Sequence, residues 1–362
     1  MIRWRDGVVT ERAASWPGAV ELKVRLGGTS GVGPDPVRAL AYTDLVGTPE
    51  VGDRVLLNAT ALLMGLGTGG YAMVVAIPDR LPEDPPPAPG HLVKARYTPM
   101  QATVLGVDEQ DSPAHEALRE ADDLDGMPVV VADLHSALPA IVAGARVERP
   151  ELRVAYVMTD GGALPLTFSR AVAGLSEAGW LAGSITVGQA FGGSLEAVTL
   201  HTGLLAARRV LAADLTVVVQ GPGNLGTGTR WGYSGVAAGE AINATAILGG
   251  RPVASLRVSE ADPRERHRGI SHHSLTAYGR VALTAADVVV PRLPDELGSR
   301  VREQAAVLDG RHRLVDVEID GLLDALRESP VRLSTMGRGL DEDPAAFLSG
   351  AAAGRHAARL VD

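Results

Sequence analysis

The sequence predicts an α/β protein: a mostly parallel sheet with helices on both faces, preceded by a small all-β, barrel-like domain. Three observations carry this. Residues 82–90 read PEDPPPAPG, a run that cannot sit inside a helix or a central strand and so marks a linker. Before it, short apolar or alternating runs are punctuated by Gly, Pro and Asp, as in consecutive strands. After it, β-branched runs alternate with Ala/Leu-rich stretches, the pattern of successive βα units. The division is then 1–81 for the β domain, 82–90 for the linker and 91–362 for the α/β domain.

In the first segment VVTERAA, AVELKVRL, RALAYTDLV, DRVLLNATALLM and YAMVVAIP each read as a strand, enough for a barrel or sandwich. GLGTGG (65–70) is a glycine loop before the last of them. In the second segment TVLGV (103–107) precedes HEALREADDL, PVVVADL (128–134) precedes SALPAIVAGA, and LRVAYVM (152–158) precedes LTFSRAVAGLSEAG. WLAGSITVG (180–188) then precedes SLEAVTLHTGLLAARRVLA, and DLTVVVQ (214–220) leads through a glycine loop to GVAAGEAINATAILGG. PVASLRVS (252–259) precedes HSLTAYGRVALTAA, DVVVPRL precedes DELGSRVREQAAVL, and RLVDVEI precedes GLLDALRES. So many units also fit a closed (β/α)8 barrel. Uneven linking lengths and an added helical region in 334–362 favour the open sheet.

Composition narrows the function. The 362 residues are 46% hydrophobic but only 4% aromatic, so the core is built from Ala, Val, Leu and Ile. A net charge of −9 argues against a nucleic-acid partner, leaving only a local basic patch at Arg264, Arg266, His267 and Arg268. The absence of cysteine excludes disulfides, Cys nucleophiles, Fe–S clusters and thiolate zinc sites. MIRWRDGVVTERAASWPG lacks the apolar run of a secretory signal, and no apolar stretch is long enough to span a bilayer. The expectation is a cytoplasmic protein without a membrane partner. Its Ala-rich helices are compatible with a homodimer.

In a parallel α/β sheet, ligands bind beyond the carboxyl ends of the strands. The residues following each strand are unusual there and plain at the other edge. They are Asp133-Leu134-His135-Ser136; Thr159-Asp160-Gly161-Gly162; Gln189 with Gly192-Gly193-Ser194; Gln220 with the loop GPGNLGTGTRWGYSG; and EADPRERHRGISHHS. His135, His272 and His273 are candidates for proton transfer because imidazole titrates near neutrality, with Asp133 and Asp160 as orienting carboxylates. Residues two apart in a strand point the same way, so Asp133 and His135 can share a site if the strand persists. If a metal bound, Asp133, His135 and His272 would be its ligands; the pattern itself demands none. His267 is discounted, because the arginines around it disfavour a cation. His201, inside an Ala/Leu helix, reads as a core residue.

The remaining candidates would hold an anion. Ser136, Ser194, Ser234 and Ser274 each precede a helix and can cap it, which aims free amides at the rim. Gly161, Gly162, Gly192, Gly193, Gly221, Gly223 and Gly226, with Thr227, let backbone approach a ligand closely. Gln189, Gln220, Asn224 and Ser271 add polar contacts, and Arg266 and Arg268 add charge. The glycine loop is neither a Walker loop, lacking Lys-Ser/Thr, nor a dinucleotide fingerprint, since Pro222 interrupts it and no helix follows at once.

DLHSALPAIVAGA, YVMTDGGALPLTFSRAV, TVGQAFGGSLEAVTLHTGLLAA, VVVQGPGNLGTGTRWGYSG and GISHHSLTAYGRVAL, with VGDRVLLNATALLMGLGTGGYAMVVA, resemble an uncharacterised bacterial family. It is domain of unknown function 3866, common in actinobacteria. The resemblance covers nearly the whole chain. It implies a bacterial cytoplasmic protein and no residue roles. From the residues, the expected function is an enzyme acting on a small anionic metabolite, phosphorylated or nucleotide-like, with cofactor unknown. The alternatives are a non-catalytic ligand-binding or regulatory protein, and a scaffold.

Overall fold

The computed structural model describes residues 1–27, 36–67 and 69–362. Thr68 of the glycine loop 65–70 therefore lies outside the described residues. The chain divides into two compact units, residues 1–88 with 95–102, and residues 89–94 with 103–362.

The first unit is a closed five-stranded barrel, order β1-β2-β3-β5-β4, formed by β1 (Trp4–Trp16), β2 (Ala19–Leu26), β3 (Val37–Tyr42), β4 (Arg54–Asn58) and β5 (Ala72–Ala76). Neighbours are antiparallel except the β3–β5 closure, which is parallel. Alternation explains the closure. Val9, Leu22, Val24, Val37, Val55, Leu57 and Val74 turn inward and fill the interior.

The second unit is built on an open, all-parallel sheet of eight strands. In chain order these are β6 (Pro128–Val131), β7 (Val154–Thr159), β8 (Gly183–Thr186), β9 (Leu195–Glu196), β10 (Leu215–Gln220), β11 (Arg251–Ser255), β12 (Asp287–Pro291) and β13 (Arg313–Val317). Their spatial order is β9-β8-β7-β10-β6-β11-β12-β13. PVVV and LTVVVQ form the centre and are buried at every position, as strands covered on both faces must be. Two expected elements differ. TVLGV gives Thr103 and Val104 to a separate two-stranded sheet with Leu92–Lys94 and only an isolated bridge, Gly106 to Glu196, to the large sheet, and HEALREADDL forms a single helical turn, His115–Leu118. The stretch SLEAV begins as edge strand β9, and its helix starts only at Leu200, where Thr199 provides the cap.

The helices are α1 (Leu138–Glu148), α2 (Arg170–Glu177), α3 (Leu200–Arg209), α4 (Ala237–Ile247), α5 (His272–Thr276), α6 (Asp295–Ala305), α7 (Leu322–Arg327) and α8 (Pro344–Arg359). α1, α7 and α8 pack together on one face; α3, α4 and the π-turn after α5 pack on the other. α1 and α8 cross with almost no side chain between them. A Cβ on Gly144 would overlap the Ala351 carbonyl, and one on Gly354 the Ile141 carbonyl. Because β10 inserts between β7 and β6, the chain leaves β7 and β6 toward the α1 face, and β10 and β11 toward the α4 face. The carboxyl ends of these four strands therefore diverge and open the rim at the sheet's centre. No helix among the described residues is long and apolar enough to cross a membrane.

Candidate functional site

Three imidazoles meet at this rim. After β11 the chain runs through Val258–Ser259, makes a short turn at Glu265–His267, returns as Gly269–Ile270 antiparallel to Val258–Ser259, and enters α5. The helix cap is Ser271, whose Oγ accepts the His273 amide at 3.2 Å; Ser274, expected as the cap, lies inside the helix and accepts the Arg257 amide at 2.9 Å. The cap places His272 and His273 in the first turn, facing back toward His267. The ring centroids of the three stand 4.4 to 5.1 Å apart. His267, only 1% exposed, has its Nδ1 2.7 Å from Ser271 Oγ. The His273 ring lies flat on Tyr233, centroids 3.8 Å apart, and the Tyr233 hydroxyl donates to the His273 carbonyl at 2.7 Å.

From the neighbouring strand end, Asp133 Oδ2 reaches within 3.6 Å of His273 Nδ1. Arg257 Nη1 lies 3.3 Å from that nitrogen and Asn224 Nδ2 3.5 Å. Gln220 Nε2 donates to the Asp133 carbonyl at 2.9 Å, which ties β10 to β6 at the rim. Three buried polar atoms of this group, Asp133 Oδ2, Gln220 Oε1 and His272 Nε2, have no hydrogen-bond partner among the described residues. Burial, reinforced by Arg257 and Arg264, lowers His267 to about 3. Burial, with His273 and Arg266 adding to it, lowers His272 to about 4. Both imidazoles are therefore neutral lone-pair donors near pH 7.

Behind the histidines lies a buried charge network. Asp262, 0% exposed, accepts Arg264 through two bonds of 2.9 Å and Arg338 at 3.3 Å, with Arg257 at 3.9 Å. Burial alone would raise the Asp262 carboxyl, but the Arg264 bonds outweigh it and hold it well below the usual carboxylate range. Asp343 accepts Ser259 Oγ at 2.6 Å and Arg338 Nε at 3.0 Å, which anchors the start of α8 to the rim. Between these elements runs a narrow cleft of about 30 Å³, lined by Asp133, Ser136, Arg257, Thr335 and Arg338 among others. That is room for two or three waters at roughly 10–15 Å³ each.

Asp133, Gln220, Asn224, Ser271, His272 and His273 thus share one neighbourhood. His135 does not join it. Strand geometry ends at Val131 and His135 opens a tight turn, so it points away from Asp133, with Nδ1 3.1 Å from the Tyr156 hydroxyl and Nε2 2.7 Å from Ser169 Oγ. Asp160 is exposed and accepts the Gln189 amide at 2.9 Å, which makes it a turn residue. Gly161 and Gly162 give close passage against Gln220 and Gly221. Gly192 donates its amide to Glu196 at 2.6 Å, Gly193 to Thr186 at 3.1 Å, and Ser194 exchanges bonds with Ser184; all serve the β8–β9 edge.

In the glycine loop after β10, several amides are taken up within the fold. Gly221 donates to Thr159 at 3.2 Å and Thr227 to Gly232 at 2.7 Å, while Gly223 takes a positive φ and Gly226 bridges Tyr233 in a small hairpin. Ser136 bonds Thr335, and Ser234 bonds Asn224 and the Leu225 amide, so neither caps a helix. Arg266 is exposed, and Arg268 donates to the Asp262 carbonyl at 3.0 Å. His201 is exposed on α3 and not in the core.

The sequence reading passed over Arg257, Tyr233, Asp262 and Arg338, and discounted His267. Arg257 carried a signal: it is a charged residue at the tip of the otherwise apolar run PVASLRVS. Asp262 and Arg338 carried none, since their pairing joins positions 76 residues apart. Of the arginines around His267, Arg264 is paired with Asp262, Arg268 donates to the Asp262 carbonyl and Arg266 is exposed, while Arg257, one strand away, lies near Asp262 and Asp133.

A family model described as "Protein of unknown function (DUF3866)" matches residues 38–354. No curated protein and no solved structure matches the chain.

Proposed function

The chain belongs to the DUF3866 family, and from its rim we propose an enzyme that acts on a small anionic metabolite at the carboxyl ends of β6, β10 and β11. The observation that carries this reading is the Asp133–His273 pair, 3.6 Å apart beside Arg257, with the Asp133 oxygen buried and lacking a hydrogen bond. A polarised imidazole next to a fixed guanidinium is what proton transfer on a bound anion requires. Arg257 and Arg338 supply the positive charge in the cleft, and Ser136 and Thr335 supply hydroxyls. The cleft admits one charged group, a phosphoryl or carboxylate, while the rest of the metabolite stays at its mouth.

Thermal-shift titration with inorganic phosphate, pyrophosphate, nucleotides, sugar phosphates and dicarboxylates tests this. One class should raise the Tm of the native protein; saturation to 100 times Kd corresponds to about 2.7 kcal/mol. The rise should vanish in Arg257→Gln. A panel that leaves the native Tm unmoved, or an Arg257→Gln protein that responds equally, refutes the proposal.

A further inference from the structure

We propose that His267, His272 and His273 form a binding site for one divalent transition-metal ion of the zinc class, with Asp133 as the carboxylate that orients His273. Each imidazole offers a nitrogen, and the three lie within 4.8 Å of one another. His267 Nδ1 is already held by Ser271 Oγ, and His273 Nδ1 faces Arg257 Nη1 at 3.3 Å, Asn224 Nδ2 at 3.5 Å and Asp133 Oδ2 at 3.6 Å. That leaves Nε2 of each for the cluster. In the third, His272, Nε2 is buried with no hydrogen-bond partner among the described residues. A buried imidazole nitrogen is ordinarily paired with a donor or acceptor, and a metal ion satisfies it instead.

The geometry suits the ion. Zinc–nitrogen bonds of about 2.0–2.1 Å place tetrahedral ligand nitrogens roughly 3.4 Å apart. Reaching that from 4.8 Å takes side-chain movements on the order of an ångström, shared by three rings. A carboxylate behind a metal-binding histidine is a recurrent arrangement that fixes tautomer and ring direction. Three nitrogen ligands leave a fourth position open, the feature that separates reactive zinc sites from purely structural ones. Asp262 and Asp133 offset part of the positive charge of Arg264 and Arg257 beside the cluster. For the reaction, this inference rests on and refines the proposed function: His267, His272 and His273 would hold the ion, His273 would then be a ligand and not a proton carrier, and the ion would supply a Lewis acid near Arg257. Metal binding itself does not depend on that reading.

The test uses the untagged full chain, stripped with chelator, dialysed, and loaded with Zn2+ or Co2+. Elemental analysis should find about one zinc per chain, Co2+ should develop the visible bands of a tetrahedral nitrogen site, and Zn2+ should raise the Tm. His272→Gln and, separately, His267→Gln should retain less than about a tenth of a zinc. Since His267 is the more buried, His272→Gln carries the result if the other fails to fold. Asp133→Asn should weaken affinity about 10–100-fold. His201→Gln, altered on an exposed helix face, should bind like the native chain. A native chain that keeps less than about a tenth of a zinc after dialysis, or histidine variants that bind as it does, overturns the site. The readout contains no substrate, so a failed anion panel with zinc retained refutes only the enzymatic reading.

Discussion

Acid should destabilise this protein through His135 in a way that can be isolated. Burial lowers the His135 imidazole from its ordinary 6.5 to about 4 in the folded chain. Its two nitrogens are engaged by the Tyr156 hydroxyl and Ser169 Oγ, and Ser169 also caps α2 by accepting the Val172 amide at 3.1 Å. The unfolded chain takes up a proton on this residue below pH 6.5, whereas the folded chain does so only near 4. Stability is therefore complete above pH 6.5 and declines as the pH falls from there to about 4. At about 1.4 kcal/mol per pH unit the whole window amounts to roughly 3 kcal/mol. His267 and His272 titrate in the same direction, so the native curve alone does not assign the loss. Urea unfolding of the native chain and of His135→Gln, at steps from pH 7.5 to 4.5, does. Glutamine keeps a donor and an acceptor but has no proton to gain, so the difference between the two chains should shrink steadily below pH 6.5. Parallel curves across that interval would show that His135 is not held neutral, and would refute the buried hydrogen-bond chain assigned to it.

Two further outcomes follow from packing and charge. Gly144→Ala and Gly354→Ala should each destabilise by about 1–3 kcal/mol or more, since the added methyl meets backbone across the α1–α8 crossing. Gly350→Ala, whose methyl would come 3.2 Å from Ala140 Cβ, should be milder, and thermal unfolding reads the ranking. Asp262→Asn should lose about 3 kcal/mol in urea unfolding, because it leaves Arg264 without its counter-charge and Arg338 with Asp343 alone; an unchanged midpoint would show that the network is ornamental to stability.

The parallel sheet and the barrel were legible because their signals are local. PVVV and LTVVVQ announce buried central strands by composition, and alternation in AVELKVRL announces a strand with one inward face. β9 was hidden, because two residues cannot establish a period, and the helical stretch beginning at Leu200 absorbed them. At the site, strand ends and loop chemistry singled out the carboxyl edge of the sheet, and Asp133, His272 and His273 do lie together there. The condition for Asp133 and His135 to share a site is not met, since the period-two argument requires a strand that persists to His135 and this one stops at Val131. Nor could spacing reveal the small hairpin that brings Gly226 beside Tyr233 and bonds Thr227 to Gly232. The cap moved from Ser274 to Ser271 for a related reason: Ser271 meets the amide two residues on, whereas Ser274 is drawn to the Arg257 amide across the rim.

The topology also bears on how the chain must be made. β6 emerges first among the sheet strands but finds its neighbours only in β10 and β11, and α1 rests on α8, with Glu148 and Arg359 joined across 211 residues. At roughly 5–20 residues per second on the ribosome, that interval lasts on the order of 10–40 s. For that time the nascent chain displays a glycine-lined helix awaiting its cover, and for the earlier part of it a bare apolar strand, so its yield in the cell should depend on chaperone capacity more steeply than its final stability would suggest.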